Sequence, residues 1–169
     1  MGIVFNAKLV EAFSGIFLSA RYDDAKPTPQ FHRAAWELYC SPVKQAMVIA
    51  PRDHAKSTAL TFDFILASVC WRISDYVILI GSTEEKAAEQ LSNIREELAT
   101  NEALRIEFGV SHFETEQKTE IIVVHDDGYR FRILARGAEQ KIRGAMWNGK
   151  RPNLIVCDDM EDDEQVESI

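Results

Sequence analysis

Residues 50 to 58 read Ala-Pro-Arg-Asp-His-Ala-Lys-Ser-Thr and lie between an apolar run and a helix-forming run. Loops that bind phosphate follow the pattern G-x-x-x-x-G-K-[ST], and here alanines take both glycine positions. Lys56 supplies a cation for the outer phosphates of a nucleotide, and Ser57, or less favourably Thr58, a hydroxyl for Mg²⁺. The helix that follows directs its N-terminal N–H groups at the anion. The alternative is a strand-to-helix turn with a solvated lysine and a serine cap.

The alanine before the lysine, Ala55, bears on whether such a loop can form. Glycine allows the positive φ that these loops use, whereas a left-handed backbone costs an L-residue about 1–2 kcal/mol. A single cost of that size is compatible with a working loop. We therefore predict that the whole loop binds nucleotide. Its residues are Pro51, Arg52, Asp53, His54, Ala55, Lys56, Ser57 and Thr58.

A second stretch whose residue types could do chemistry is Leu-Ile-Val-Cys-Asp-Asp, residues 154 to 159. It reads as an apolar strand that ends in two acids. Asp158 is predicted to hold Mg²⁺, and Asp159 or Glu161 to orient an attacking water. Acids after a strand are also common as loop or helix caps, which is the alternative. Because both groups follow predicted buried strands, they fall where open parallel sheets bind their ligands.

The elements that must position these groups follow from the hydrophobic pattern. Two N-terminal helices are predicted. The first is expected to bury Leu9, Phe13, Ile16 and Phe17, and the second Phe31, Ala35 and Leu38. Strands are predicted at 43–50, 75–82 and after Pro152, and helices at 57–71, 84–99 and 101–108, with Ser82 capping the second of these. Residues 119–134 predict two strands joined at Asp127-Gly128.

Strands that alternate with helices predict an α/β fold with a parallel sheet flanked by helices and an added β-hairpin. With a phosphate loop, this pattern predicts the P-loop NTPase class, in its RecA-like (ASCE) form. The chain has 169 residues, of which 46% are hydrophobic and 27% charged, which suits one globular domain. Its three cysteines are far apart, which favours reduced thiols and argues against a zinc site or a disulfide framework.

Charge is distributed unevenly along the chain. The formal net charge is −8, but seven acids lie among the last twelve residues, so the remainder is close to neutral. Residues 130–151 contain seven Lys and Arg residues and one acid, Glu139. A solvated basic face is the better interpretation of this stretch, and a surface for phosphates is the alternative. No apolar run approaches the roughly 20 residues of a membrane helix, and no membrane partner is expected.

Four segments, in order, resemble the ATPase portion of the large terminase subunit, the motor that packages DNA into tailed-phage heads. They are PTPQFH, APRDHAKST, STEEKAAEQLSNIREELATNEALRIEFG and ILARGAEQKIRGAMWNGKRPNLIVCDDMED, and the likeness spans about residues 28 to 165. The resemblance implies ATP and Mg²⁺ as cofactors, with Lys56 and Ser57 on the phosphates and Asp158 on the metal. It also implies that Arg52 senses the γ-phosphate and that Gln30 approaches the adenine.

The resemblance further implies an arginine that completes a neighbouring subunit's site in a ring. Arg143 is the candidate, Arg136 and Arg151 are rivals, and a surface salt bridge is the alternative role for Arg143. The implied partners are double-stranded DNA, a portal protein, a small terminase subunit and further copies of the chain. The implied location is the host cell cytoplasm.

Two departures from the terminase pattern stand out. Many terminases have Asp-Glu after this strand where the present chain has Asp158-Asp159, and the chain stops ten residues after Asp159. We expect a single, partial ATPase domain with a helical segment at about residues 1–40, no nuclease domain, and nucleotide binding better than turnover. Two other hypotheses stay open: a helicase-like P-loop ATPase acting on nucleic acid, and a non-hydrolysing nucleotide-binding or assembly module.

Overall fold

The computed structural model describes residues 4–21, 27–49 and 55–160. The chain divides into two compact units, Met1–Ile73 and Ser74–Ile169. The first is helical where it is described, and the second contains the sheet. None of the helices in the described ranges has the length and apolarity needed to cross a membrane.

The first unit consists of three helical stretches. Helix α1 (Ala7–Phe13) begins at Asn6, whose side chain accepts a hydrogen bond from the Leu9 N–H at 3.0 Å. It runs on through a π-helical turn (Ser14–Leu18) and a short 3₁₀ turn (Ser19–Arg21). Helix α2 spans Gln30–Tyr39, and a second π-helical stretch (Ser57–Asp63) continues into α3 (Phe64–Cys70).

The predicted buried face of the first helix is partly wrong. Phe13 is buried as expected, but Ile16 is 70% exposed and the next fully buried residue is Leu18, five positions later. The π-helical turn explains the change, because its i→i+5 hydrogen bonds add a residue per turn and rotate the following side chains away from the α-helical register.

The inward face of α2 also differs from the prediction. Ala35 is buried, but its neighbours in the core are His32 and Trp36, while Phe31 and Leu38 are half-buried. The Trp36 indole N–H donates to the carbonyl of Ala59 at 2.9 Å, so the largest side chain of α2 is held against the π-helical stretch. This anchor sets which side of α2 is buried.

The strand predicted at 43–50 is absent from residues 43–49, which have no regular secondary structure. Met47 is 82% exposed and Ile49 is 85% exposed. A strand exists only through hydrogen bonds to a neighbour, and these residues pair with no strand of the described chain. Apolar composition alone therefore predicted the wrong state here.

The second unit is an α/β structure built on a five-stranded mixed sheet. Its strands, numbered β1 to β5 along the chain, are Tyr76–Gly81, Val110–Gln117, Glu120–His125, Arg130–Gly137 and Leu154–Cys157. Their order in the sheet is β2-β3-β4-β1-β5. Strand β1 pairs in parallel with β4 and β5, whereas β2, β3 and β4 are antiparallel. The predicted hairpin at Asp127-Gly128 is confirmed, but β2 was not predicted, because its polar and apolar residues alternate only weakly.

Strands β1 and β4 are covered on both faces. Helix α4 (Glu84–Thr100) packs on β4 and β1 through a buried stripe that includes Ala87, Leu91 and Ile94. On the other face, Tyr76 and Ile78 belong to a core covered by the segment between β4 and β5, which contributes Ile142 and Trp147 among others. A short helix, α5 (Glu102–Phe108), follows α4 and ends at Gly109 in a left-handed conformation.

Two details of the second unit correct the sequence predictions. The cap of α4 is Thr83, whose hydroxyl accepts from the Lys86 N–H at 3.3 Å, and not Ser82. Strand β5 is half-buried instead of buried, with Ile155 52% exposed. The reason is its place at the end of the sheet, where β1 is its one partner among the described strands.

Candidate functional site

The ends of β1 and β4 allow α4 to approach the sheet closely. Gly81 and Gly137 lie opposite each other at the carboxyl ends of these strands. A Cβ on Gly137 would lie 2.8 Å from the backbone nitrogen of Glu84, and one on Gly81 would lie 2.9 Å from that of Ala87. Both distances are shorter than carbon–nitrogen contact allows, so the two glycines fix where the first turns of α4 lie.

We expect Gly137→Ala to lower the free energy of unfolding by about 1–3 kcal/mol, because the clash is with backbone and α4 must shift. The matched control is Gly15→Ala, where an added Cβ meets nothing within 4 Å. In its helical setting that change should be neutral or stabilising by up to about 1 kcal/mol. Urea denaturation of both variants checks the prediction, and equal stabilities would contradict it.

Asp158 lies directly beyond β5, at the same edge of the sheet as the two glycines. Its backbone N–H donates to the carbonyl of Ile80 at 2.9 Å, which extends the pairing with β1 by one residue. Its carboxylate oxygen Oδ2 accepts a hydrogen bond from Nε2 of Gln90 at 2.7 Å. Asp158 is therefore held both by the sheet and by α4, and it is half-buried.

Two oxygens near this strand edge are buried and lack a hydrogen-bond partner within the part of the chain that the structure describes: Oγ of Ser82 and Oε1 of Gln90. Ser82 follows β1, and Gln90 contacts Asp158. A buried polar atom without a partner costs about 1–3 kcal/mol, so an ordered water, or a ligand that supplies a hydrogen bond or a cation, is favoured here.

The donor set at this edge fits Mg²⁺. Carboxylate, hydroxyl and amide oxygens are the hard ligands that this ion prefers, and Mg²⁺ typically takes one or two carboxylates and completes its shell with water and phosphate. Residues 4–21, 27–49 and 55–160 contain no cluster of three or more His, Cys, Asp or Glu groups that could hold an ion alone.

The described end of the candidate phosphate loop has an unusual backbone. Ala55 has φ of +48°, in the left-handed region, and its carbonyl accepts from the Ala59 N–H at 3.0 Å. Lys56 and Thr58 are half-buried, and Ser57 is exposed at the start of the π-helical stretch. The loop residues Pro51, Arg52, Asp53 and His54, like Glu161 in the acidic tail, lie outside the described residues.

Four non-glycine residues of the described chain have positive φ: Ala55, Arg72, Asn148 and Asp159. Arg72 follows Trp71, the C-cap of α3, and Asn148 begins an Asn-Gly turn that joins Trp147 to Lys150, so both occupy ordinary turn positions. Of the other two, Ala55 directly precedes Lys56 and Asp159 directly follows Asp158. Because strained backbone concentrates at functional sites, these two positions are candidates for a functional role.

Most of the other predicted site residues are exposed, and Arg136 is half-buried. Gln30 is the first residue of α2, and Arg143 lies in a turn between β4 and β5. Arg143 forms no ion pair or hydrogen bond with a described residue, so the salt bridge weighed as its alternative role is not found in this part of the chain. Its rival Arg136 donates from Nη1 to the carbonyl of Ala135 at 2.9 Å, and Arg151 is exposed.

Much of the basic stretch at 130–151 is engaged within the second unit. Arg130 pairs with Glu114 at 2.8 Å, Arg132 pairs with Glu120 at 2.9 Å, and Lys150 pairs with Asp75. These pairs agree with the interpretation of the stretch as a structural, solvated face. The three cysteines are free thiols, and burial raises the pKa of each, most of all that of Cys70.

Sequence reasoning missed Gln90 and the glycine pair. Gln90 sits 68 residues from Asp158, and nothing in the helical pattern of α4 marks it as a partner of that carboxylate. The glycines carried a usable signal, because each ends an apolar strand directly before a polar residue or turn.

The geometry above stands without support from relatives. No family model, curated protein or solved structure matches this chain.

Proposed function

We propose that this chain is an ATP-binding and ATP-hydrolysing domain of the P-loop NTPase class, and that it serves in a viral DNA-packaging motor as part of a terminase large subunit. Lys56 and Ser57 bind the phosphates of ATP, and Asp158 holds Mg²⁺. Double-stranded DNA is the substrate of the assembled motor, in which the chain works as a ring with portal and small-subunit partners.

The observation that carries the proposal is the left-handed backbone of Ala55 directly before Lys56. Phosphate loops place a glycine at this position because the chain must turn with positive φ before the lysine. Here the conformation is kept although alanine makes it costly by about 1–2 kcal/mol. A solvated strand-to-helix turn has no need for that strain, whereas a loop shaped for phosphate does.

Asp158 supports the metal part of the proposal. It follows a strand parallel to β1 and is held by Gln90, and beside it lie buried oxygens without partners in the described chain. Asp158 would hold Mg²⁺, which would supply positive charge against the charge that develops on the transferred phosphoryl group. Asp159 or Glu161 orients the attacking water, and Arg52 contacts the γ-phosphate.

Arg143 is proposed to act in trans on the nucleotide of a neighbouring subunit. Its exposure and its lack of an ion pair with any described residue support this role, since such an arginine must be available to a partner. Gln30, exposed at the start of α2, is proposed to contact the adenine.

The strain at Ala55 leads to a specific prediction. Ala55→Gly should leave stability unchanged or raise it by up to about 1 kcal/mol, because removing the strain offsets the greater freedom of glycine in the unfolded chain. The matched control, Ala88→Gly inside α4, should instead destabilise by about 1 kcal/mol or more. Thermal unfolding of the two variants measures the difference, and an Ala55→Gly loss as large as that of Ala88→Gly would contradict a strained loop.

Phosphate release by the purified chain, alone and with DNA, tests the proposed function. Slow release that rises on assembly with a portal or with double-stranded DNA supports a packaging motor. Stimulation by single strands without a capsid partner would select the helicase-like alternative. Binding of a fluorescent ATP analogue with no phosphate release would select the non-hydrolysing module, and no binding at all would refute the proposal.

A further inference from the structure

We propose that Gln90 is a positioning residue for the metal-binding carboxylate of Asp158, an inference that rests on the function proposed above. Its amide Nε2 donates to Oδ2 of Asp158 at 2.7 Å. One lone pair of Oδ2 is engaged in this way, whereas Oδ1 keeps both of its lone pairs for a cation. The hydrogen bond thus fixes one orientation of the carboxylate and favours Oδ1 as the metal-binding atom.

The rigidity of α4 makes Gln90 suitable for this task. The residue lies next to the buried Leu91 and one turn from the buried Ala87 and Ile94, in a 17-residue helix packed on β1 and β4. The approach of α4 to the strand ends is fixed by Gly81 and Gly137. Asp158 is fixed by its backbone bond to Ile80. Both partners of the hydrogen bond are therefore anchored through their main chains.

The other end of the same amide points to a ligand. Oε1 of Gln90 is buried and has no hydrogen-bond partner among the residues that the structure describes. A glutamine that merely tied α4 to β5 would be expected to have both ends satisfied, since a lone buried acceptor costs free energy. An acceptor beside a metal ligand is well suited to take a hydrogen bond from metal-bound water. Residues in this position commonly change metal affinity about 10- to 100-fold when they are removed.

The test compares the affinity of the β,γ-imido analogue of ATP in the presence of Mn²⁺ and in EDTA. For Gln90→Leu, which removes the amide but keeps a helix-forming residue, affinity with Mn²⁺ should fall about 10-fold or more, while affinity in EDTA stays unchanged. Gln90→Asn, whose side chain is one methylene shorter, should show the same selective loss. It serves as the second variant in case Gln90→Leu folds poorly. Ser92→Leu, on the exposed side of α4, is the matched control and should alter neither affinity.

The outcomes separate this inference from the function on which it rests. If the wild-type chain binds the analogue more tightly with Mn²⁺ and both Gln90 variants do so equally well, Gln90 is structural and the inference is wrong. If the variants lose affinity equally with Mn²⁺ and in EDTA, the effect is on folding or nucleotide contact and the inference is again wrong. If the wild-type chain binds the analogue neither with Mn²⁺ nor without it, the proposed function itself fails and the inference falls with it.

Discussion

Replacement of Lys56 by alanine is expected to abolish ATP hydrolysis, with a loss of at least about 100-fold in kcat/KM. Lys56 follows the strained Ala55 at the start of the helical run that ends at Cys70. In the proposed site its ammonium group neutralises the outer phosphates, where negative charge is greatest, and the helix N-terminus contributes partial charges only. Steady-state phosphate release and analogue binding, measured on the same preparation, determine the size of the effect.

The control for this variant is Lys44→Ala, which removes the same charge from an exposed position of the same unit. It should leave hydrolysis unchanged. Hydrolysis by Lys56→Ala at the wild-type rate, in a preparation free of contaminating ATPase, would refute the assignment of the loop. A loss shared equally by Lys44→Ala would show that net charge, and not the position of Lys56, controls the activity.

The second large effect is expected for Asp158→Asn, which should lower kcat roughly 100-fold and shift the Mg²⁺ requirement to higher concentration. The substitution keeps the size of the side chain and leaves an oxygen that can still accept from Gln90. It removes the negative charge that Mg²⁺ needs, so the loss should appear in metal dependence and not in stability. A Mg²⁺ titration of the hydrolysis rate gives both quantities.

Asp127→Asn is the matched control for Asp158→Asn. Asp127 lies in the hairpin turn of the same unit, where its carboxylate accepts from the Tyr129 N–H at 3.1 Å, and Asn-Gly is also a favoured turn pair. This variant should keep the wild-type Mg²⁺ requirement. If Asp158→Asn also keeps it, Asp158 is a structural acid at the end of a strand, as its alternative role supposed.

Local sequence signals predicted the second unit well. The apolar run at 75–82, the amphipathic stripe of α4 and the Asp-Gly turn each specify a local structure that packing then reinforces, and all three are present. Prediction failed where the outcome depends on neighbours. Strand β5 is half-buried because it ends the sheet, and residues 43–49 are not a strand because no described strand pairs with them.

The candidate site was predictable only in part. Asp158 and the Lys56 loop were visible as residue types after apolar runs, and the cost of a left-handed Ala55 could be anticipated from its place in the pattern. The π-helical stretches could not be anticipated, because hydrophobic periodicity assumes 3.6 residues per turn. Gln90 was hidden for another reason: its contact with Asp158 arises only when α4 docks on the sheet.

The proposed function requires that Lys56 and Asp158 act on the same magnesium-bound nucleotide. A double-mutant cycle on the affinity for the Mg²⁺ complex of a non-hydrolysable ATP analogue tests it most directly, using wild type, Lys56→Ala, Asp158→Asn and the double variant. We predict that each single change weakens binding. The loss of binding free energy in the double variant should differ from the sum of the two single losses by more than about 0.5 kcal/mol. Effects that add within about 0.5 kcal/mol, or undiminished binding by Lys56→Ala, would contradict a shared ligand.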